Sequence, residues 1–146
     1  MHEAATMAGM AFTHAGLGLC HAMAHALGGK FHVPHGRLNA ILLPAVIGFN
    51  AQSCGAKYGD FAHSAGIGGS VEAIAVRNLR GNLCRLRREL GLPETLAAAG
   101  VDPAAVRAAG SEIVAAALAD PCCATNPRAA NAGAVAQILA EVTGHG

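Results

Sequence analysis

Apolar residues recur at helical spacing from His2 to about Leu27, in a stretch rich in Ala, Met and Leu and free of proline. The pattern predicts one long helix, closed by Gly28 and Gly29 as its C-cap. Gly9, Gly16 and Gly18 lower its intrinsic propensity. A residue without a side chain also lets a neighbour approach closely, so this helix is expected to be buried on most sides. Residues 29–34 read as a loop with Pro34 fixing its exit, and a second apolar helix is predicted from about Gly36 to Phe49, kinked or stopped at Pro44. Further helical patterns fall at 55–65, 70–90, 103–119 and 131–142. Gly66 to Gly69, Gly91 to Pro93 and Gly100 to Pro103 separate them, and Asp102 before Pro103 suits an N-cap with proline at N1. The segment DPCCATNPR at 120–128 reads as a loop, because its two prolines oppose a helix.

No stretch alternates with period two for long, no β-branched cluster stands out, and there is no internal repeat. The predicted fold class is therefore all-α, a compact multi-helix bundle of about seven helices forming one domain over 1–146. No glycine-rich phosphate loop follows a strand, so this chain is expected to lack a dinucleotide-binding domain.

Composition adjusts this picture. The chain is 53% hydrophobic, 3% aromatic and 13% charged, against roughly 25% charged in an ordinary soluble domain. Either part of the surface is covered by something else or the helices pack closely through small side chains. The net charge of +1 gives no electrostatic argument for nucleic acid or an anionic membrane. No apolar run approaches a membrane span without Gly, His or charge, and the start MHEAATMAGMAF carries an early Glu and no basic region, unlike a signal peptide. Five cysteines at irregular spacing, without a C-x-x-C pair, support neither a disulfide framework nor a zinc knuckle, and a cytoplasmic setting is expected. The arginines of RNLRGNLCRLRREL (Arg77, Arg80, Arg85, Arg87 and Arg88) read as a solvated helix face, and Arg128 as a tie from its loop to a helix C-terminus or carboxylate.

The stretch GLCHAMAHALGGKFHVPHG holds four of the eight histidines. His21 and His25, four apart, share one helix face, and the glycine pair followed by Pro34 lets the chain return His35 toward it. Neutral imidazole ligates zinc and ferrous iron. The metalloprotease motif is excluded, since it needs a Glu directly after the first His and Ala22 stands there. The nearest acids along the chain, Glu3 and Asp60, are remote, so two or three imidazoles form at most a half-site. A hydrogen-bonded core or surface role is the alternative, and spacing alone leaves both open. His32 and His63 read as surface residues, and His14 falls at the edge of the same face.

The string AGMAFTHAGLGLCHAMAHALGGKFHVPHGRLNAILLPAVIGFN resembles the signature region of iron-containing (group III) alcohol dehydrogenases. Its A-G-x-A-F, G-L-G, H-x-x-x-H-x-L-G-G, P-H-G and N-A-x-L-L-P elements all match. The likeness continues through KYGDFAHSAG, LRRELGLPETLAAAGVD and ALADPCCATNPRAA, and so covers the whole chain. It implies the C-terminal helical, metal-binding domain only, with Met1 at an internal position and the N-terminal dinucleotide-binding domain absent. The resemblance also implies hydride transfer between a short alcohol or aldehyde and NAD(P), with a divalent metal, Fe²⁺ or in some members Zn²⁺, as Lewis acid. By position His21 and His35 correspond to two metal ligands, while the remaining Asp and His come from the segment before this one. His25 corresponds to the histidine beside the nicotinamide implicated in proton transfer, and Phe12 and Cys122 to residues lining the substrate pocket. Homo-oligomers are common in the family. Alone, the chain is expected to bind metal weakly and turn over little or nothing. The alternative function is a stable non-catalytic helical module serving oligomerisation or partner binding.

Overall fold

The computed structural model describes residues 1–144, which form seven α-helices and one 3-10 turn, with no strand among the described residues. The helices are α1 (His2–Ala15), α2 (Gly18–Phe31), α3 (His35–Ser64), α4 (Glu72–Glu89), α5 (Pro103–Ala108), α6 (Gly110–Ala119) and α7 (Ala132–Thr143); the 3-10 turn is Pro121–Thr125. The all-α expectation holds, with three differences in where helices begin and end.

The long N-terminal helix is two helices. The break falls at Gly16 and Gly18, both at positive φ (78° and 74°), and not at Gly28 and Gly29. These dihedrals suit glycine alone at low cost, and an added Cβ at Gly16 would run into the Thr125 side chain. α2 continues through its glycine pair to Phe31 and is capped by His32 in the left-handed conformation (φ 55°). The two halves then have opposite fates. α2 is the central helix, with Leu19, Met23 and Leu27 fully buried, whereas α1 buries no residue and exposes Met7 (70%) and Met10 (68%). The expectation of a helix buried on most sides is thus met by α2 and overturned for α1, which the turn at Gly16–Gly18 carries away from the core.

α2 packs against α3, α6 and the 3-10 turn, and α7 closes the core from the side of α3 and α6. Its leucines and methionine share one core cluster with Leu38, Ile41 and Leu42 of α3, Ile113 and Ala117 of α6, and Val135 and Ile138 of α7. Burying each such side chain contributes about 1.5–3 kcal/mol. A second, smaller cluster (Ile47, Ala62, Ala75, Val76 and Leu79) joins α3 to α4. α3 is long and apolar enough to cross a membrane by those criteria alone, but half of its most apolar window is buried inside the domain, where its apolar residues fill both clusters.

α3 continues past Pro44, which does not stop it; its kink falls at Cys54, whose φ of −137° is non-helical and which lies between the segment predicted to Phe49 and the one predicted at 55–65. Proline lacks an N–H, so the Ala40 carbonyl, one turn earlier, loses its ladder partner. Arg87 Nη1 of α4 donates to that carbonyl at 3.3 Å, and Arg80 Nε donates to the Pro44 carbonyl at 2.7 Å. Arg87 is buried (8% exposed), pairs with Glu94 at 3.1 Å, and leaves its Nε without a partner. Arg80 also reaches Glu141 of α7. The solvated-face reading of the arginine cluster therefore fails for these two: sequence shows the charges but not the carbonyls that proline leaves open across the interface.

Asp102 caps α5 as expected, its Oδ1 accepting from Ala104 N at 2.9 Å, with Pro103 at N1. The predicted 103–119 helix divides at Ala109 into α5 and α6.

Candidate active site

The loop at 120–128 is more ordered than its prolines suggested. Asp120 precedes Pro121 as Asp102 precedes Pro103, and its Oδ1 caps the 3-10 turn by accepting from Cys122 N at 2.8 Å. Asn126 then fastens the loop to two helices. Its Oδ1 accepts from Leu19 N at the start of α2 (3.0 Å) and from Asn50 Nδ2 of α3 (3.0 Å), and its Nδ2 donates to Asn50 Oδ1 (2.8 Å) and to the Arg128 carbonyl (2.7 Å). Asn50 is almost wholly buried (3% exposed). Arg128 donates to the Phe49 carbonyl at 2.8 Å and lies over the Phe49 ring at 4.1 Å, in place of the helix C-terminus or carboxylate expected for it. Residues 120–125 are thereby held against the first turns of α2.

Helical spacing puts His21 and His25 on one face of α2, and the loop at 32–34 brings His35, first residue of α3, back to them. Ring centres lie 5.2 Å apart for His21–His35, 5.2 Å for His25–His35 and 6.3 Å for His21–His25. Phe12, on the exposed α1, stands 6.4 Å from the His21 ring. The structure thus groups His21, His25, His35 and Phe12. His14 and His32 are exposed, and His63 bonds to the Gly59 and Gly69 carbonyls away from the cleft.

Each imidazole has a different environment. His21 Nδ1 is buried without a hydrogen-bond partner of normal geometry. Burial, then the neighbouring His35 and His25, lower its pKa from the usual value, against the opposing pull of the Leu17 carbonyl and Asp120. His35 Nε2 accepts from Asn39 Nδ2 at 2.9 Å, and Cys20 Sγ donates to Asn39 Oδ1 at 3.3 Å. Burial pushes the Cys20 thiol up to about 12, so it stays protonated and able to donate. This donor fixes which way the Asn39 amide faces.

His25 Nδ1 meets Asp120 Oδ2 at 2.9 Å. Burial pushes the Asp120 carboxyl up, but the Cys122 backbone N–H and the His25 ring outweigh it, and the pKa lies below the ordinary carboxylate value. An ionised carboxylate on Nδ1 sets the tautomer: Nδ1 carries the proton and Nε2 keeps a free lone pair. Asp120, 95 residues along the chain from His25, is the acid that no sequence neighbour supplies. The signal that could have found it is the repeated Asp-Pro step, which marks a cap at both 102 and 120.

Cys122 is half-buried, and burial followed by Asp120 raises its thiol pKa. Its sulphur, an imidazole nitrogen of His25 and a carboxylate oxygen of Asp120 lie within 4.8 Å of one another. All five cysteines are free, as the irregular spacing implied.

The sequence profile of the Fe-containing alcohol dehydrogenase family, C-terminal, matches residues 1–143. Among curated relatives, 1-propanol dehydrogenase of Salmonella typhimurium is 42% identical over 146 residues, covering 97% of this chain and 40% of that protein. Lactaldehyde reductase of Escherichia coli K12 is 41% identical over 128 residues, covering 85% of this chain and 32% of that protein. The chain thus spans at most two fifths of the length of these relatives. Among solved structures, an alcohol dehydrogenase from Oenococcus oeni superposes with a TM-score of 0.85 at 30% identity, over 92% of this chain and 35% of that one. A 1,3-propanediol oxidoreductase gives 0.84 at 36% identity over the same shares. A clustered histidine face on a helical domain and a profile that runs from the first residue to the last helix have one reading: this chain belongs to the iron-containing alcohol dehydrogenase family, and corresponds to its C-terminal portion.

Proposed function

We propose that this domain is the metal-binding half of an NAD(P)-dependent dehydrogenase that interconverts short alcohols and aldehydes. The observation that carries the reading is the convergence of His21, His25 and His35, with ring centres 5.2–6.3 Å apart, from two helices. The His21–His35 pair fits a divalent cation. Two imidazoles ligating one ion at about 2.1 Å and a near-tetrahedral angle place their ring centres about 5 Å apart, close to the 5.2 Å of this pair. The donor chemistry suits Fe²⁺ or Zn²⁺. When bound, the ion polarises the alcohol oxygen and the nicotinamide serves as redox partner for the carbinol carbon.

The chain's own residues supply the rest. His21 and His35 would hold the ion, and because the lone pair of His35 Nε2 is the one that accepts from Asn39 Nδ2, ligation there would displace that hydrogen bond. His25 accepts the hydroxyl proton at Nε2 while Asp120 holds Nδ1–H and stabilises the imidazolium that forms. With 44% of its side chain exposed, His25 passes that proton on to solvent. Phe12 and Cys122 border the cleft and favour a short aliphatic substrate. A preceding N-terminal domain that binds NAD(P) would complete the site, and the 146-residue chain alone would turn over little or nothing for want of two ligands and a nicotinamide. The cytoplasm, which keeps five thiols reduced, is the proposed setting.

The test joins this chain to the N-terminal portion of the Salmonella 1-propanol dehydrogenase and follows NAD(P) reduction by 1-propanol together with bound iron. His21→Ala and His35→Ala should lose both metal and turnover, while His25→Ala keeps metal and lowers kcat. Full activity in His21→Ala would overturn the assignment. A second reading, a helical module for assembly, is favoured by one feature: α1 buries nothing and exposes Met7, Met10 and Phe12. It predicts a concentration-dependent oligomer in sedimentation that Met7→Glu with Met10→Glu disperses.

A further inference from the structure

We propose that His25, Asp120 and Cys122 form a second cation site, distinct from the His21–His35 pair and selective for thiophilic divalent ions such as Zn²⁺. This goes beyond the dehydrogenase reading and does not depend on it. The three donors come from two elements that Asn126 holds together: His25 from α2, and Asp120 and Cys122 from the capped 3-10 turn. The Asp-Pro-Cys step presents two of them in a fixed order. Cys122 N–H occupies Asp120 Oδ1, which turns Oδ2 toward His25 at 2.9 Å. The three donor atoms fall within 4.8 Å of one another. Tetrahedral ligation at about 2.1 Å to N and O and about 2.3 Å to S places donors about 3.5 Å apart. Reaching that spacing requires His25 and Asp120, now 2.9 Å apart, to separate slightly and the Cys122 side chain to turn toward them.

Charge decides between the two positions. His21 and His35 offer two neutral imidazoles and leave the ion's double charge uncompensated. The second site offers three donors, two of them anionic once the thiol ionises, so it neutralises a divalent ion and leaves one position for water. Ion binding takes the place of the hydrogen bond between His25 and Asp120. The Cys122 proton leaves to solvent, and His25 keeps its single ring proton on the nitrogen that the ion does not hold. A thiolate discriminates against Mg²⁺ and Ca²⁺, which take oxygen ligands. The two anionic donors favour a divalent ion here, and an ion there withdraws His25 from any proton-transfer role.

Co²⁺, a spectroscopic stand-in for Zn²⁺, tests this on the 146-residue chain. Titration should produce an intense near-ultraviolet thiolate-to-cobalt band that saturates at one equivalent and is displaced by Zn²⁺ but not by Mg²⁺. Cys122→Ser should abolish the band, and Asp120→Asn, which keeps the cap on the turn, should require more Co²⁺ to reach it. His21→Ala should leave it intact, with far-ultraviolet circular dichroism confirming the fold of each variant. Cobalt uptake without the band, lost in His21→Ala, overturns the second site and leaves the dehydrogenase reading standing. A band that survives Cys122→Ser assigns the sulphur elsewhere and overturns the proposal as well. A band lost in Cys122→Ser but kept in His21→Ala upholds it, whatever the fused enzyme does with alcohol.

Discussion

Replacing Asn126 by alanine removes the side chain that holds the 120–128 loop to α2 and α3. Four hydrogen bonds go with it: those from Leu19 N and Asn50 Nδ2, and those to Asn50 Oδ1 and the Arg128 carbonyl. At about 1 kcal/mol net for each bond the loss comes to about 4 kcal/mol. Asn126 is only half-buried, so water recovers part of this, while the nearly inaccessible Asn50 amide stays unpaired. The expected loss is about 3 kcal/mol, which lowers Tm by roughly 6–12 °C for a domain of this size. Urea unfolding followed by circular dichroism measures it. Asn50→Ala removes the same two amide–amide bonds, so the double variant should be less destabilised than the sum of the singles by about 2 kcal/mol. Additive losses, or an Asn126→Ala loss below about 1 kcal/mol, would refute the claim that this pair fastens the loop.

Three further outcomes are expected. Gly16→Ala forces a residue with a Cβ into positive φ and against Thr125, and should cost about 2–3 kcal/mol by chemical denaturation; Thr125→Ala should recover part of that, and no recovery would mean the clash is not the cause. Tyr58 is the single tyrosine in a chain without tryptophan, and burial followed by its contact with Cys54 pushes its pKa from 10.0 up to about 12. The folded chain therefore holds the phenol proton more tightly than the unfolded chain, so this contribution to stability is complete below pH 10 and is lost as pH rises toward 12. Ultraviolet titration should show phenolate only near pH 12 or together with loss of helix, and a midpoint near 10 in the folded chain would contradict it. Cys20, buried and protonated up to about pH 12, should resist iodoacetamide at pH 8 until the chain unfolds, and native-state labelling at Cys20 would disprove its burial.

Periodicity made the helices of this fold legible, because amphipathic spacing and Gly or Pro breaks are local properties. Asp102–Pro103 announced its cap for the same reason. The glycine breaks were harder to read. Gly28–Gly29 looks like a helix stop and is traversed, since Leu27 before it and Leu38 across from it are buried together and hold the turn helical. Gly16 and Gly18 look like dilute helix positions and form the real break, because Thr125 and Asn126, more than 100 residues away, occupy the space above them and bond to the first amides of α2. The site divides the same way. His21, His25 and His35 were visible from spacing and from the family resemblance. Asp120, Asn39 and Cys20 carry no local mark that pairs them with a histidine, and only packing brings them within hydrogen-bond distance.

Pro44 makes its position depend on Arg87 across the α3–α4 interface. A proline in a buried helix opens a carbonyl, and an arginine from the next helix fills it at 3.3 Å. Pro44→Ala gives the Ala40 carbonyl a ladder donor that its second lone pair can accept beside Arg87. Losing Arg87 while Pro44 stays leaves the carbonyl open. The dependence therefore runs one way: Arg87 is needed while Pro44 stands and becomes dispensable at this carbonyl once Pro44 is gone. Descendants of this sequence that keep Pro44 should keep Arg87, whereas those that lose Pro44 are free to lose it later.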